Sequence, residues 1–250
     1  MSFDSWRGTV GVIKPTYRPG SLEEFIKLLP DGISCIPLYV GFQEGTVDEF
    51  KKALEAIEAK VQELAKIGVD LIHPEGAPPF MVHGAKRERE LLDEWERRYG
   101  IPVVTSGTTQ ADAMRALGMR RIVGVTYFQG AINDMFAQYF TDVGFEVLSM
   151  EGIDVPFKDV GRLSSHEIYA HTRAAFRKHR NVDGVYMLGA GWRVMDILEP
   201  LEQDLEVPLA AANTVRLWAV MRHFGVRQRI PGYGRLLAEL PKLDDESEAR

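Results

Sequence analysis

The most constraining feature of the chain is a segment that occurs twice. Val69-Asp70-Leu71-Ile72-His73-Pro74-Glu75-Gly76-Ala77 is echoed by Val182-Asp183-Gly184-Val185-Tyr186-Met187-Leu188-Gly189-Ala190. Each copy follows a charged amphipathic helix pattern, reads as a buried strand and runs into a turn of small residues. Two such units imply two similar α/β halves facing each other. A small ligand then belongs in the cleft between them, beyond the ends of the repeated strands.

The rest of the chain fits that scheme. Strands are expected over 9–13, 32–40, 69–73 and 101–104. Ser21 reads as a helix cap with Glu24 behind it. Thr46, with Glu49, caps one long helix that carries Phe50, Leu54, Ile57, Val61, Leu64 and Ile67 at helical spacing. A charged helix over 85–99 closes at Gly100. The pattern then restarts: helix 109–117, strand 121–126, helix 131–143, strand 145–150, helix 165–180, strand 182–188, helix 194–205, strand 208–212 and a final helix over 214–224. Such alternation is the signature of parallel sheets with right-handed crossovers. The expected fold class is α/β, with two pseudo-symmetric lobes, each a short parallel sheet flanked by helices. Residues 1–108 plus 214–240 would form the first lobe, 109–213 the second, and 241–250 a disordered tail.

Composition narrows the function. The net charge is -6, and acidic and basic residues mix along the helices, which argues against nucleic acid as a partner. The cluster Arg115, Arg120 and Arg121 brackets a helix end and reads as solvated cations beside helix carbonyls. A single cysteine, Cys35, excludes an internal disulfide and a cysteine-based zinc site, and fits a reducing cytoplasm. No apolar run reaches the length of a membrane span, and the N-terminal residues carry no signal-peptide pattern.

The loops after the strands hold the polar candidates: Lys14 and Tyr39 in the first half, the turn from His73 to Ala77, Thr105, then Tyr127 and the Gly189-Ala190-Gly191-Trp192 turn in the second. The glycine turn lacks the fuller pattern of a nucleotide loop. The run Val103-Val104-Thr105-Ser106-Gly107-Thr108-Thr109-Gln110-Ala111-Asp112-Ala113-Met114-Arg115-Ala116-Leu117-Gly118, followed by Arg120-Arg121-Ile122, Thr126-Tyr127 and Asn133, resembles arylmalonate decarboxylases and maleate cis–trans isomerases of the aspartate/glutamate racemase superfamily. The resemblance spans nearly the whole chain. It implies two lobes with the site between them, no metal or organic cofactor, a small carboxylate substrate, chemistry at the carbon beside the carboxyl group, and self-association. In that family, racemases and maleate isomerases use two cysteines, one after each repeated strand, and arylmalonate decarboxylases keep only the second. Turn N–H and hydroxyl groups, helped by tyrosines, hold the negative charge that builds on the substrate.

The chain departs from that pattern at the reacting groups. The first cysteine position falls on Glu75, or on Gly76 if the glycines are matched, and the second on Gly189. The hydroxyl pair that would hold the anion becomes Gly76-Ala77, and Pro78 and Pro79 supply no N–H. Tyr127 and Asn133 match the family's site positions, and Thr105 matches more loosely. Glu75 is the candidate replacement for the thiol. Among apolar neighbours such as Phe80 and Trp192 its pKa would rise, suiting it to acid–base work. His73 would share its strand face and form a coupled pair with it. Lys14 would hold a carboxylate or a developing enolate. The plainer readings are a solvated turn glutamate, a satisfied strand histidine and an ordinary loop lysine. A metal is not expected, because His73 and Glu75 have no third partner at ligand spacing.

The expected function is a cofactor-independent lyase or isomerase acting on a small carboxylate through an enediolate-like anion. Tyr127, Thr105 and turn N–H groups would stabilise the anion, Glu75 and His73 would move the proton, and Phe42, Phe80 or Trp192 would face the substrate. Two alternatives stand beside it: a hydrolase in which Glu75 activates water, and a carboxylate-binding protein without catalysis.

Overall fold

The computed structural model describes residues 3–188 and 191–243. The chain forms β1 (Gly8–Lys14), α1 (Ser21–Leu28), β2 (Ile33–Tyr39), α2 (Val47–Lys51), α3 (Leu54–Ile67), β3 (Leu71–Pro74), α4 (Pro78–Met81), α5 (Ala85–Tyr99) and α6 (Ser106–Ala116). It continues with β4 (Arg121–Thr126), α7 (Ala131–Asp142), β5 (Glu146–Gly152), α8 (Ser165–Arg177), β6 (Gly184–Met187), α9 (Leu198–Leu205), β7 (Leu209–Ala211), α10 (Ala212–His223) and α11 (Arg235–Glu239). The strands make two parallel sheets, ordered β2-β1-β3 and β5-β4-β6-β7. The repeated segments supply β3 and β6, each hydrogen-bonded to the first strand of its own half. Among the described residues, no helix is long and apolar enough to cross a membrane.

Apolar strands form the centre of each sheet because both faces are covered by helices. Val10, Val12, Ile72, Val123, Val125 and Val185 are fully buried. Gly11 has a packing reason. A Cβ there would stand 2.7 Å from a methyl carbon of Leu64, so the missing side chain lets α3 lie directly on β1. The last long helix, α10, returns to the first half and packs against α6 and α1.

Several boundaries differ from expectation for local reasons. The long helix over 46–67 is two helices. α2 closes with a tightened turn in which Ala53 N donates to the Phe50 carbonyl at 3.2 Å, where Phe50 packs edge-on against Phe42 and Phe128. The strand over 101–104 shrinks to one parallel bridge between Ile72 and Val103, since Pro102 has no N–H for a longer ladder. Gly20 rather than Ser21 caps α1, and the Glu23 carboxylate accepts from Gly20 N at 2.6 Å. The helix expected over 194–205 begins only at Leu198. Of the expected tail, 241–243 is packed: the Trp218 indole donates to the Pro241 carbonyl at 3.2 Å and Leu243 joins the core. The rest of it, 244–250, lies outside the described residues.

Gly11→Ala should lower stability by roughly 1–3 kcal/mol through overpacking against Leu64. Urea unfolding of the wild type and the variant measures this; an unchanged midpoint would show that α3 does not rest on β1 as described.

Candidate active site

The carboxyl ends of β1, β3, β4 and β6 converge, and the loops that follow them enclose a narrow cleft. Thr16 and Arg18 come from the loop after β1, Gly76 from the turn after β3, Tyr127 and Phe128 from the loop after β4, and Leu188 and Gly191 from the segment after β6. Phe42, Phe50 and Phe157 complete an aromatic wall. The free space is about 30 Å³, room for about one water.

Tyr127 sits in this wall, 8% exposed. Its ring packs on Phe128 at 4.9 Å between centroids and edge-on to Trp192 at 5.1 Å. Burial pushes its phenol up to about 12, against a smaller opposing pull from Arg18. The hydroxyl therefore stays protonated at neutral pH and is a hydrogen-bond donor. Asn133 fixes the loop that carries it. The Asn133 Oδ1 accepts from the Thr126 hydroxyl at 2.6 Å, and its Nδ2 donates to the Phe128 carbonyl at 2.7 Å. Asn133 thus holds the loop on either side of Tyr127 and is not among the residues lining the cleft.

Glu75 occupies a different environment from the one expected. Its side chain is 4% exposed and contacts two cations: Lys14 Nζ at 3.1 Å and Arg216 Nη1 at 2.6 Å, both to Oε2. The Arg216 contact is off hydrogen-bond alignment, so it acts as a Coulombic pairing. Lys14 also donates to Glu75 Oε1 at 3.3 Å and to the Ser21 hydroxyl. Arg216 lies over the Phe25 ring at 4.3 Å and donates to the Ser21 carbonyl at 2.9 Å. Burial alone would raise the Glu75 pKa; Arg216 and Lys14 outweigh it and hold the carboxyl below its ordinary value. The shift is therefore opposite to the one expected from apolar neighbours alone, because α10 brings an arginine against the carboxylate. Lys14, 1% exposed, is spent on this internal carboxylate and does not reach the cleft.

His73 is buried at 1% exposure, and neither ring nitrogen has a hydrogen-bond partner among the described residues. Burial, then Arg216, push it down to about 4, with Glu75 pulling weakly the other way. It is neutral and not hydrogen-bonded to Glu75, so the expected proton-transfer pair does not form.

The other candidates divide between cleft and scaffold. Gly76 lines the cleft at φ 94°, a conformation that glycine favours. Its N–H is engaged, donating to the Ser106 hydroxyl at 3.1 Å. Ala77 is fully buried at the start of α4. Thr105 is a scaffold residue: it caps α6, and its hydroxyl donates at 2.5 Å to Glu88, which also accepts from the Tyr139 hydroxyl. Burial raises the Glu88 pKa, although both hydroxyls oppose it. Tyr39 stacks on the exposed Tyr17 at 5.4 Å instead of joining the cleft. Phe80 packs edge-on against Trp95 in the core. Trp192 stands as a wall behind Tyr127. Gly189 and Ala190 lie outside the described residues.

Two residues at the centre of this arrangement escaped the sequence reading. Arg216 had a signal: it is the one charged residue in the apolar run Val215-Arg216-Leu217-Trp218-Ala219-Val220-Met221, and a buried cation requires a partner. Arg18 had only its place in the loop after β1.

The arylmalonate decarboxylase family matches the chain over residues 10–237. The chain is 23% identical over 237 residues to the arylmalonate decarboxylase of Bordetella bronchiseptica, covering 92% of this chain and 97% of that protein. A crystal structure of arylmalonate decarboxylase superposes with a TM-score of 0.78 at 22% identity, covering 92% of this chain and 98% of that one. The maleate isomerase structure from Pseudomonas putida gives 0.84 at 19% identity, with the same coverage of 92% and 98%.

The buried neutral His73 makes stability depend on pH. Its pKa in the folded chain lies below the unfolded value of about 6.5, so its contribution is complete above pH 6.5 and is lost as pH falls towards 4. The wild type should lose up to roughly 3 kcal/mol more than His73→Gln over that interval. Chemical denaturation of both proteins at pH 7 and pH 4.5 checks this; equal losses would mean that His73 is not buried in the neutral form.

Proposed function

The chain belongs to the arylmalonate decarboxylase family, and from that premise we propose that it is a cofactor-independent decarboxylase of a small α-substituted carboxylate, working through an enediolate-like anion. The observation that carries this reading is Tyr127: a buried, protonated phenol in an aromatic cleft at the carboxyl ends of both sheets. Its hydroxyl donates to the oxygen on which charge builds as the carbon–carbon bond breaks. The walls of Phe42, Phe50, Phe128 and Phe157 suit the other product, because a charged carboxylate leaves as neutral carbon dioxide. The anion then takes a proton from water: the new C–H bond forms as an O–H bond of that water breaks, and hydroxide returns to solvent.

The same features favour decarboxylation over cis–trans isomerisation, the second reading that the family offers. Isomerisation through a covalent adduct needs a nucleophile at one of the two repeated turns. The chain has no cysteine there, and Cys35 stands inside β2, where burial raises its thiol to about 11. Breaking the carbon–carbon bond needs no nucleophile. In this account Glu75 positions the turn before Gly76 and carries no proton. The hydrolytic alternative has the weaker support, because Glu75 is paired with Lys14 and Arg216 and does not line the cleft, and its lowered pKa makes it a poorer base.

Phenylmalonate, its α-methyl derivative and maleate, assayed in deuterium oxide, test the proposal. Carbon dioxide release with deuterium at the product carbon is expected from the malonates, and Tyr127→Phe should reduce kcat by about 100-fold. Fumarate from maleate without carbon dioxide release, or full activity in Tyr127→Phe, would overturn it.

A further inference from the structure

Arg18 is the one cation lining the cleft among its described residues, and its partners are unusual. One guanidinium nitrogen donates to the Phe157 carbonyl, and the guanidinium carbon lies over the Phe157 ring, 4.1 Å from its centroid. None of the ion pairs among the described residues includes Arg18. The contrast with Arg216 is direct: that cation is buried against Glu75, whereas Arg18, half-buried at the cleft, faces a carbonyl and a ring.

The other terminal guanidinium nitrogen, Nη1, lies beside Gly191 and the Tyr127 hydroxyl. A Cβ placed on Gly191 would stand 2.9 Å from Arg18 Nη1 and 3.0 Å from the Tyr127 hydroxyl. Guanidinium and phenol therefore converge over Gly191, in space that any side chain there would occupy. On the far side, Arg18 and Gly191 also line an outer cavity of about 580 Å³. The outer walls add Lys158, Arg162 and Arg193, and Trp192, whose indole N–H has no acceptor among the described residues. Asp159 pairs with Arg162 at 3.1 Å, and Arg193 lies within electrostatic reach of Glu23 and Glu24. Arg18 thus forms the partition between this outer space and the small inner cleft.

We infer that Arg18 is the carboxylate anchor of the site: it releases the Phe157 carbonyl, opens the partition and grips, beside the Tyr127 hydroxyl, the carboxylate that the reaction retains. The inference rests on the carboxylate chemistry proposed above and names the group that replaces the missing turn hydroxyls. A planar guanidinium matches a carboxylate with two parallel hydrogen bonds, and a backbone carbonyl, which is neutral, is a weaker partner. The division of labour follows. The electron pair of the breaking carbon–carbon bond moves onto the oxygens held by Arg18 and Tyr127, and the other carboxyl group departs on the aromatic side as neutral carbon dioxide. The ligand class is a carboxylate whose carboxyl-bearing carbon carries an apolar, preferably aromatic, group.

Binding of phenylacetate and of its neutral isostere phenylacetamide, measured calorimetrically on wild type, Arg18→Met and Arg18→Lys, separates this from other roles. Wild type should prefer the carboxylate. Arg18→Met should weaken phenylacetate by roughly 30-fold or more while leaving phenylacetamide unchanged, and Arg18→Lys should recover only part of the loss. Unchanged phenylacetamide binding shows that the variant is folded. Equal phenylacetate affinity in wild type and Arg18→Met, or a wild type that does not distinguish acid from amide, overturns the anchor. Turnover of phenylmalonate by the same samples keeps the two readings apart. Arg18-dependent carboxylate binding without turnover upholds the anchor and rejects the decarboxylase; undiminished turnover by Arg18→Met does the reverse.

Discussion

The buried contact of Glu75 with Lys14 and Arg216 is the constraint on which the site depends. Three charges are removed from water at the ends of β1 and β3 and at the face of α10. Burial of that kind is tolerated only when the charges compensate one another, and removal of one partner typically costs about 3–5 kcal/mol. The cluster therefore ties α10 to the first sheet. It also sets the position of the Gly76 turn, because the carboxylate one residue earlier is held from two sides. Arg216 and Lys14 hold the Glu75 carboxyl below its ordinary value, and in the function proposed above Glu75 is a structural anion and not the proton carrier.

With Glu75 committed beneath the cleft, the groups left facing it are few and complementary. Tyr127 supplies a neutral donor, Arg18 a cation, and the phenylalanines an apolar wall. Asn133 and Thr126 hold the Tyr127 loop from behind, and the glycine at 191 leaves the space in which phenol and guanidinium meet. A negatively charged, partly apolar ligand satisfies each of these at once. The cleft in this structure is nearly filled by its own side chains, so ligand entry and movement of Arg18 are the same event in this account.

The fold was largely legible in the sequence, since it rests on local patterns: strand–helix alternation, glycine stops, and capping residues such as Thr46. The splitting of the helix at Lys52 and the reduction of the strand at Pro102 needed tertiary contacts or ladder geometry. The site was legible to a smaller extent. Tyr127 and Gly76 line the cleft from the loops after β4 and β3, and Trp192 packs behind Tyr127. Glu75, His73, Lys14, Thr105 and Asn133 were correctly singled out as unusual, yet each is engaged within the protein or left unpartnered in its core. The reason is common to all five. The sequence shows that a polar residue lies near a cleft, but its protonation state and its availability depend on what folds over it from elsewhere. For Glu75, His73 and Lys14 that was Arg216, from more than a hundred residues away; for Thr105 it was Glu88, and Asn133 is taken up by its own loop.

The central claim is the ionisation state of Glu75, and isotope-edited infrared difference spectroscopy of wild type against Glu75→Gln reads it most directly. The account predicts that the Glu75 carboxylate stretch is present throughout the neutral pH range, with no protonated carboxyl band. A protonated carboxyl band for Glu75 that titrates near neutrality would contradict it, and would restore this residue as the proton carrier of the site.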